Sequence, residues 1–451
     1  MLRQGAAIAE LARHGYDGLL TLYRRHGPVF TLGAGRHGYV YLLGPEANRF
    51  VFANTALFRT REAFEALVPV DGPTSLIVSE GADHRRRRAL VRPALHHRRV
   101  EGYVRTMAES ADAAIDAWRP GDRIDAYQVF RAAIRRGTVR ALFGPRLAAD
   151  ADFLGDRLQP MLDVIDRMPQ ALRAHRVLRT PAWRRAMAAR RAADERLYAE
   201  IARLRGEARD GTDPHAVAPG DGEGDGDGGG ARGGHILADL VRARSADGAG
   251  LSDAEIRDQA MTLIAAGYET TSAALAWTLH RLLTTEGAWR RARAEAERAG
   301  PPTAESLGRV PYIAGAVNEA LRLHPPAAIS ARHTAAPFTF AGHRVPEGAT
   351  VVYSPYVTHR LPEAWPDPLR FAPDRWAEGF RPAPEHFCPF GGGAHRCVGS
   401  AMATTELVVT TMRVVARATL TPETREVRPR GLTTMRPAGG LPVRVTSVRP
   451  G

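Results

Sequence analysis

One loop carries the residues best placed for chemistry: Phe390 to Gly399, reading FGGGAHRCVG. It holds Cys397, one of only two cysteines, the other being Cys388. Three glycines precede it, then His395 and Arg396, and an apolar helical pattern follows at once. A sulfur just ahead of a helix meets free backbone N–H groups and the positive end of the helix dipole, which favour a thiolate. The glycines let the backbone turn sharply and let a large flat ligand approach closely. A lone thiolate so placed suits an iron porphyrin, in which sulfur is the protein's ligand to the iron. Two other readings use the same residues. A lone cysteine is ordinarily a small buried hydrophobe. His386, Cys388, His395 and Cys397 also form H-x-C-x6-H-x-C, four ligand types suited to a structural zinc ion.

Three further groups stand out. Residues 251–287 read as one long helix, with Ser252 and Glu255 as a capping box and Gly287 at the end. Its middle is apolar on nearly all sides, yet holds Ala266, Gly267, Glu269 and Thr270. A glycine and a glutamate cost stability in a buried helix, and a threonine there can bond the preceding turn. The cluster suits a groove beside a ligand, with Leu263 one turn earlier and a hydroxyl and a carboxylate for proton delivery. The plainer alternative is a kinked helix with a solvated acid. In GADHRRRRALVRPALHHRRV, His84 and Arg88 are spaced i,i+4 and can grip a carboxylate of a cofactor, although basic runs are commonly solvated faces. Glu319 and Arg322 are i,i+3 neighbours on a helix bounded by Pro311 and Pro325.

FGGGAHRCVG, continued to Ala403 and Glu406, resembles the cysteine loop of the cytochrome P450 haem-thiolate monooxygenases, with Phe390, Gly393, His395, Cys397 and Gly399 on that family's pattern. AGYETT is similar to the family's oxygen-activation motif, and Glu319-x-x-Arg322 to its acid–arginine signature. The resemblance covers nearly the whole chain. It implies one mainly α domain over residues 1–451, with small antiparallel β-sheets, in the cytochrome P450 fold. It implies haem b as cofactor, Cys397 as the iron ligand, Phe390, His395 and Gly399 around it, and His84, Arg88 and Arg332 on the propionates. Glu269 and Thr270 would relay protons. Glu319, Arg322 and Arg375, from FAPDRW, would form a buried network fixing the cysteine loop. The substrate side would include Phe64, Leu67, Val70, Leu263, Ala266, Gly267, Ala327, Ile329, Thr434 and Met435. The implied reaction places one oxygen atom from O2 into an apolar small molecule by hydroxylation or epoxidation. Terpenoid, fatty-acid or polyketide-type substrates of secondary metabolism all fit. A zinc protein, or a haem sensor or peroxygenase without the O2-cleavage relay, is the alternative.

The elements that must position these groups are legible in outline. Residues 5–25 read as an amphipathic helix, and 29–35 with 38–44 as a small hairpin. Residues 101–205 read as several helices, 337–355 as antiparallel strands and 431–445 as a last hairpin. Residues 206–234 are Gly- and Asp-rich and cannot bury enough apolar surface to fold alone, so a flexible loop is expected. The formal charge is +13, and all 62 basic residues are arginine. That charge can receive an acidic ferredoxin or flavodoxin, itself served by a reductase, since no flavin or nicotinamide fingerprint adjoins. No nucleic-acid module accompanies the charge. Two cysteines, no signal-like apolar segment and no run of 18 apolar residues point to a cytoplasmic protein without a spanning segment, expected as a monomer.

Overall fold

A computed structural model describes residues 4–33, 38–167, 169–210, 235–244, 248–377 and 379–450. Most of the expected Gly/Asp-rich loop, 211–234, lies outside the described residues. Its first part does not: 206–210 complete the helix Pro181–Asp210. The expected first helix is two, Gln4–His14 and Tyr16–His26, because Gly15 takes a left-handed φ of 54° between them. The chain is mainly helical, and its largest sheet has five strands.

In that sheet Val29–Leu32 pairs with Tyr39–Leu42 as the expected hairpin, Leu42 facing Val29. Tyr39–Leu42 then pairs with Thr350–Tyr353 in parallel, a departure from the expected all-antiparallel sheets. A parallel neighbour needs a long crossover, and more than 300 intervening residues supply it here. Thr350–Tyr353 continues antiparallel to Ser330–Thr334, which pairs with Phe58–Arg59. This places Arg332 opposite Val351, on a strand flanked by partners on both sides.

The central helix runs Asp253–Thr284, 32 residues, or about 48 Å at roughly 1.5 Å per residue. Its capping box is made: Ser252 Oγ accepts from the Glu255 N–H at 3.2 Å, and Glu255 accepts from the Ser252 N–H at 3.0 Å. It stops three residues before Gly287, which instead caps the start of the next helix, Ala288–Ala299, in the left-handed region. Along its apolar middle Tyr268, Leu275, Trp277 and Leu279 are at most 1% exposed. Burying each such side chain stabilises by about 1.5–3 kcal/mol. It packs against Ala126–Ala149, Pro311–Leu323 and Ser400–Arg417, so one hydrophobic core surrounds it.

Candidate active site

The cysteine loop is shaped by its glycines and by a phenylalanine far away in sequence. Gly391 and Gly393 have φ of 66° and 65°, which side-chain-bearing residues rarely adopt. A Cβ on Gly392 would sit 2.3 Å from the Phe52 ring, and one on Gly393 would sit 2.5 Å from the Phe52 carbonyl oxygen. The turn closes when the Cys397 N–H donates to the Phe390 carbonyl at 2.9 Å. Gly399 then caps the helix Ser400–Arg417. Cys397 is exposed and lines a cavity. Surrounding protein pushes its thiol up, opposed by the Gly399 N–H and by the Arg88 and Arg396 charges. The helix start alone therefore does not make the sulfur a thiolate; a bound metal ion would complete the deprotonation.

The cavity encloses about 1650 Å³, part of it open to solvent. The part that water-sized molecules can enter is about 330 Å³, within the roughly 300–1,000 Å³ of a small-molecule pocket. Phe390, Gly399, His84, Arg88, Arg332 and His395 all line it with Cys397. The inward residue of the arginine run is Arg88; Arg86 and Arg87 are turned to Glu255 instead. Arg332 is only 7% exposed, yet its one side-chain hydrogen bond goes to the Ala331 carbonyl. It leans on the Tyr353 and Phe64 rings at 5.4 and 6.0 Å. Among the described residues neither Arg88 nor Arg332 meets a carboxylate. A guanidinium buried without a counter-charge, as that of Arg332 is, is costly, and together with the half-buried Arg88 in the same wall it fits a ligand carrying two carboxylates. The His84 and His395 rings lie 4.1 Å apart, with His395 Nε2 3.3 Å from Thr60 Oγ1. Burial first, then the neighbouring positive charges, pushes His84 down to about 4 and His395 to about 3, so both are neutral at pH 7.

Across the cavity the central helix presents Leu263, Ala266, Gly267 and Thr270. The Thr270 hydroxyl donates to the Ala266 carbonyl at 2.7 Å, and the helix continues without the kink weighed above. Glu269 is not in the cavity wall. It turns to the helix Ala126–Ala149, accepting from Arg131 Nε at 2.7 Å and the Tyr127 hydroxyl at 3.1 Å. Successive helix residues are rotated by about 100°, and that rotation carries Glu269 round to Arg131 and Tyr127 while Thr270 stays in the wall. Of the other substrate-side residues, Phe64 and Ala327 line the cavity. Leu67 and Ile329 pack in the cores instead, and Val70 and Met435 are at most 1% exposed. The Met435 carbonyl accepts from Trp277, and Thr434 is buried outside the wall. Leu76, Ile77, Gln259 and Glu406 are wall residues that the sequence reading passed over. Gln259 had a signal: it continues the 263, 266, 267, 270 stripe one turn back.

Behind the loop lies the acid–arginine network. Glu319 and Arg322 are both 0% exposed, joined by two 2.8 Å bonds. Glu319 also accepts from Trp376 Nε1 at 2.9 Å, the Ala372 N–H at 3.1 Å and Arg375 at 3.4 Å. Arg322 donates to the His359 carbonyl at 2.6 Å. The His359 ring joins this network to the loop, because its Nε2 accepts from the Cys388 N–H at 3.0 Å. Its Nδ1–H then donates to the Arg322 carbonyl, a tautomer set by the two partners. Complete burial pushes His359 well down, so it stays neutral.

The zinc alternative is not assembled. Among the described residues no three His, Cys, Asp or Glu side chains come together to hold a metal ion. Cys388 is 1% exposed and packed against Asn48, and it is not among the residues that line the cavity with Cys397.

A sequence profile of the cytochrome P450 family matches residues 9–441. The chain belongs to the cytochrome P450 family. It is 47% identical over 444 residues to a protein named as cytochrome P450 139 of Mycobacterium tuberculosis, covering 96% of this chain and 98% of that one. It is 32% identical over 405 residues to the cyclooctat-9-en-7-ol 5-monooxygenase of Streptomyces melanosporofaciens, covering 88% and 83%. In three dimensions it is similar to a retinoic acid-bound cyanobacterial CYP120A1, with a TM-score of 0.82 at 23% identity, covering 98% and 96%. It is also similar to a cytochrome P450DA haem domain, with a TM-score of 0.81 at 23% identity, covering 96% and 93%. This P450 is thus an oxidoreductase of the monooxygenase class, built for haem iron. Among the described residues no helix is long and apolar enough to cross a membrane.

Proposed function

We propose that this P450 holds haem b through Cys397 and hydroxylates or epoxidises an apolar small molecule, of terpenoid, fatty-acid or polyketide type. The observation that carries the reading is Cys397 facing two guanidiniums without carboxylate partners, Arg88 and Arg332, across an apolar cavity. With only two cysteines, and Cys388 buried, no second thiol is free to attach the macrocycle covalently, which favours haem b. When bound, the haem iron supplies reductive activation of O2 and transfer of one oxygen atom.

The chain's own residues do the rest. Arg88 and Arg332 bind the two propionates, with the neutral His84 and His395 as hydrogen-bonding neighbours. Thr270 presents a hydroxyl that can pass a proton into the cavity. Glu269, tied to Arg131 and Tyr127, holds the helix turn that carries Thr270 and does not itself reach the ligand. Leu76, Ile77, Leu263, Ala266 and Ala327 offer an apolar surface that excludes water from the substrate. The cyclic alkenol acted on by the Streptomyces relative is of this apolar kind. Electrons would come from a ferredoxin or flavodoxin with its reductase, attracted by the +13 chain. Both cysteines are free thiols, which suits the cytoplasm, and we expect a monomer.

The test is the carbon monoxide difference spectrum of the reduced protein. The strongly red-shifted Soret band of thiolate-ligated haem is expected, and Cys397→Ser should abolish it. Stoichiometric zinc without iron, or a Soret band unmoved in Cys397→Ser, would overturn the proposal.

A further inference from the structure

The first turns of the central helix spend their polar side chains on one segment, residues 70–79. Arg257, 1% exposed, donates from Nη1 to the Asp71 carbonyl and from Nη2 to the Val70 carbonyl, each at 3.2 Å. Asp258 Oδ2 accepts from the Thr74 N–H at 2.9 Å and from the Thr74 hydroxyl at 2.6 Å. Gln259 Oε1 accepts from the Leu76 N–H at 3.0 Å, and its Nε2 donates to the Thr74 carbonyl at 2.7 Å. Three consecutive helix residues thus make six hydrogen bonds to one short segment, five of them to its backbone N–H and C=O groups. Gly72 admits the arrangement: a Cβ there would lie 2.0 Å from the Asp258 carboxylate. Farther along, Arg87 donates to Ser79 Oγ at 2.9 Å while paired with Glu255 of the capping box. Arg257 also donates from Nε to Asp194 of the helix Pro181–Asp210 at 2.5 Å, so one guanidinium ties that helix to the segment.

Backbone N–H and C=O groups left in a buried loop must be satisfied or the loop will not stay buried. Here they are satisfied by side chains of the helix that forms the opposite wall of the cavity. Leu76 and Ile77 line the cavity directly, as does Gln259.

We infer that Arg257, Asp258 and Gln259 are positioning residues that latch segment 70–79 in one conformation, so that Leu76 and Ile77 form a preset wall selecting substrate by shape. The segment is not the gate: ligand enters and leaves without displacing it. This rests on the cavity being the substrate chamber, as proposed above.

Hydrogen–deuterium exchange on the holoenzyme tests it, with 4-phenylimidazole and the bulkier clotrimazole as probes whose binding is read by the Soret shift. In the wild type the Thr74, Leu76, Val78 and Ser79 amides should exchange as slowly as the core of the central helix. Either imidazole should change them less than about twofold. Gln259→Leu should speed exchange at Leu76 at least tenfold and narrow the affinity ratio between the two probes. Gln259→Glu, which keeps an acceptor for the Leu76 N–H, should restore part of both. Fast wild-type exchange that slows on ligand binding would make the segment a gate and overturn the inference, as would unchanged exchange in Gln259→Leu. If neither imidazole moves the Soret band, the chamber reading fails, while the exchange rates still decide whether the latch exists.

Discussion

Glu319→Gln is the sharpest probe of the network behind the cysteine loop. The substitution keeps shape but removes the charge that faces Arg322, with both side chains 0% exposed. It also places an NH2 group where two oxygens now accept five N–H donors: two from Arg322 and one each from Arg375, Trp376 and Ala372. At least one donor must then meet another donor. Breaking a buried pair by removing one partner costs about 3–5 kcal/mol. Unfolding entropy near the melting temperature is roughly 2.1 cal/mol/K per residue, so for 451 residues a loss of about 4 kcal/mol lowers Tm by about 4 °C. The assay is thermal unfolding followed by helical circular dichroism and, in parallel, by the Soret band of the reduced carbon monoxide complex. Because His359 links Arg322 to the loop, the thiolate-type Soret signal should be lost no later than the helical signal. Glu305→Gln, in an exposed i,i+4 pair with Arg309, is the control and should move Tm by less than about 1 °C. A Glu319→Gln shift no larger than the control's, with full haem content, would refute the reasoning.

Arg332→Leu or Arg88→Leu should each remove a charge-assisted contact of about 1.5–3 kcal/mol, speeding haem transfer to apomyoglobin about 10–100-fold; exposed Arg85→Leu should leave the rate unchanged. Thr270→Val should lower product formed per reducing equivalent by about tenfold, less than the roughly 100–10,000-fold of a positioned proton donor because water partly replaces the hydroxyl, while peroxide-driven turnover persists; equal coupling in both proteins would remove Thr270 from the relay. Burial raises Glu406 from an ordinary 4.5 to about 8. A carboxyl raised on folding binds more protons in the folded state, so its stabilising share is complete below pH 4.5. That share is lost as pH rises toward 8, at up to roughly 1.4 kcal/mol per pH unit. Urea midpoints at pH 5, 7 and 9 should therefore fall less steeply in Glu406→Gln than in the wild type, and parallel curves would refute the assignment.

The sequence carried the site further than the architecture around it. Local signals that depend on a few adjacent residues were legible: the Ser252–Glu255 box, the hairpin of 29–42, the helix 311–323, the FGGGAHRCVG turn. What needed tertiary information was not. The parallel partner of Tyr39–Leu42 lies more than 300 residues away, and nothing local announces it. Glu269 and Thr270 are neighbours in sequence but point about 100° apart on one helix, and only the position of Arg131 and Tyr127 shows that Glu269 is the one turned from the cavity. Val70 and Met435 read as apolar wall because they are apolar. Apolar residues pack equally well in a core, and both are fully enclosed there. Of the run His84–Arg88, the inward residue was ambiguous until Glu255 was seen to claim Arg86 and Arg87.

Phe52 lies against the glycines of the loop that carries Cys397, some 340 residues downstream. Bringing such distant segments together is entropically slow, and the reward comes only on contact. During synthesis the ring and carbonyl at position 52 must wait for nearly the whole polypeptide before the turn they template can close. On the proposed role of Cys397, iron capture has to wait for that closure, and a nascent chain truncated before residue 390 would lack both the turn and the sulfur.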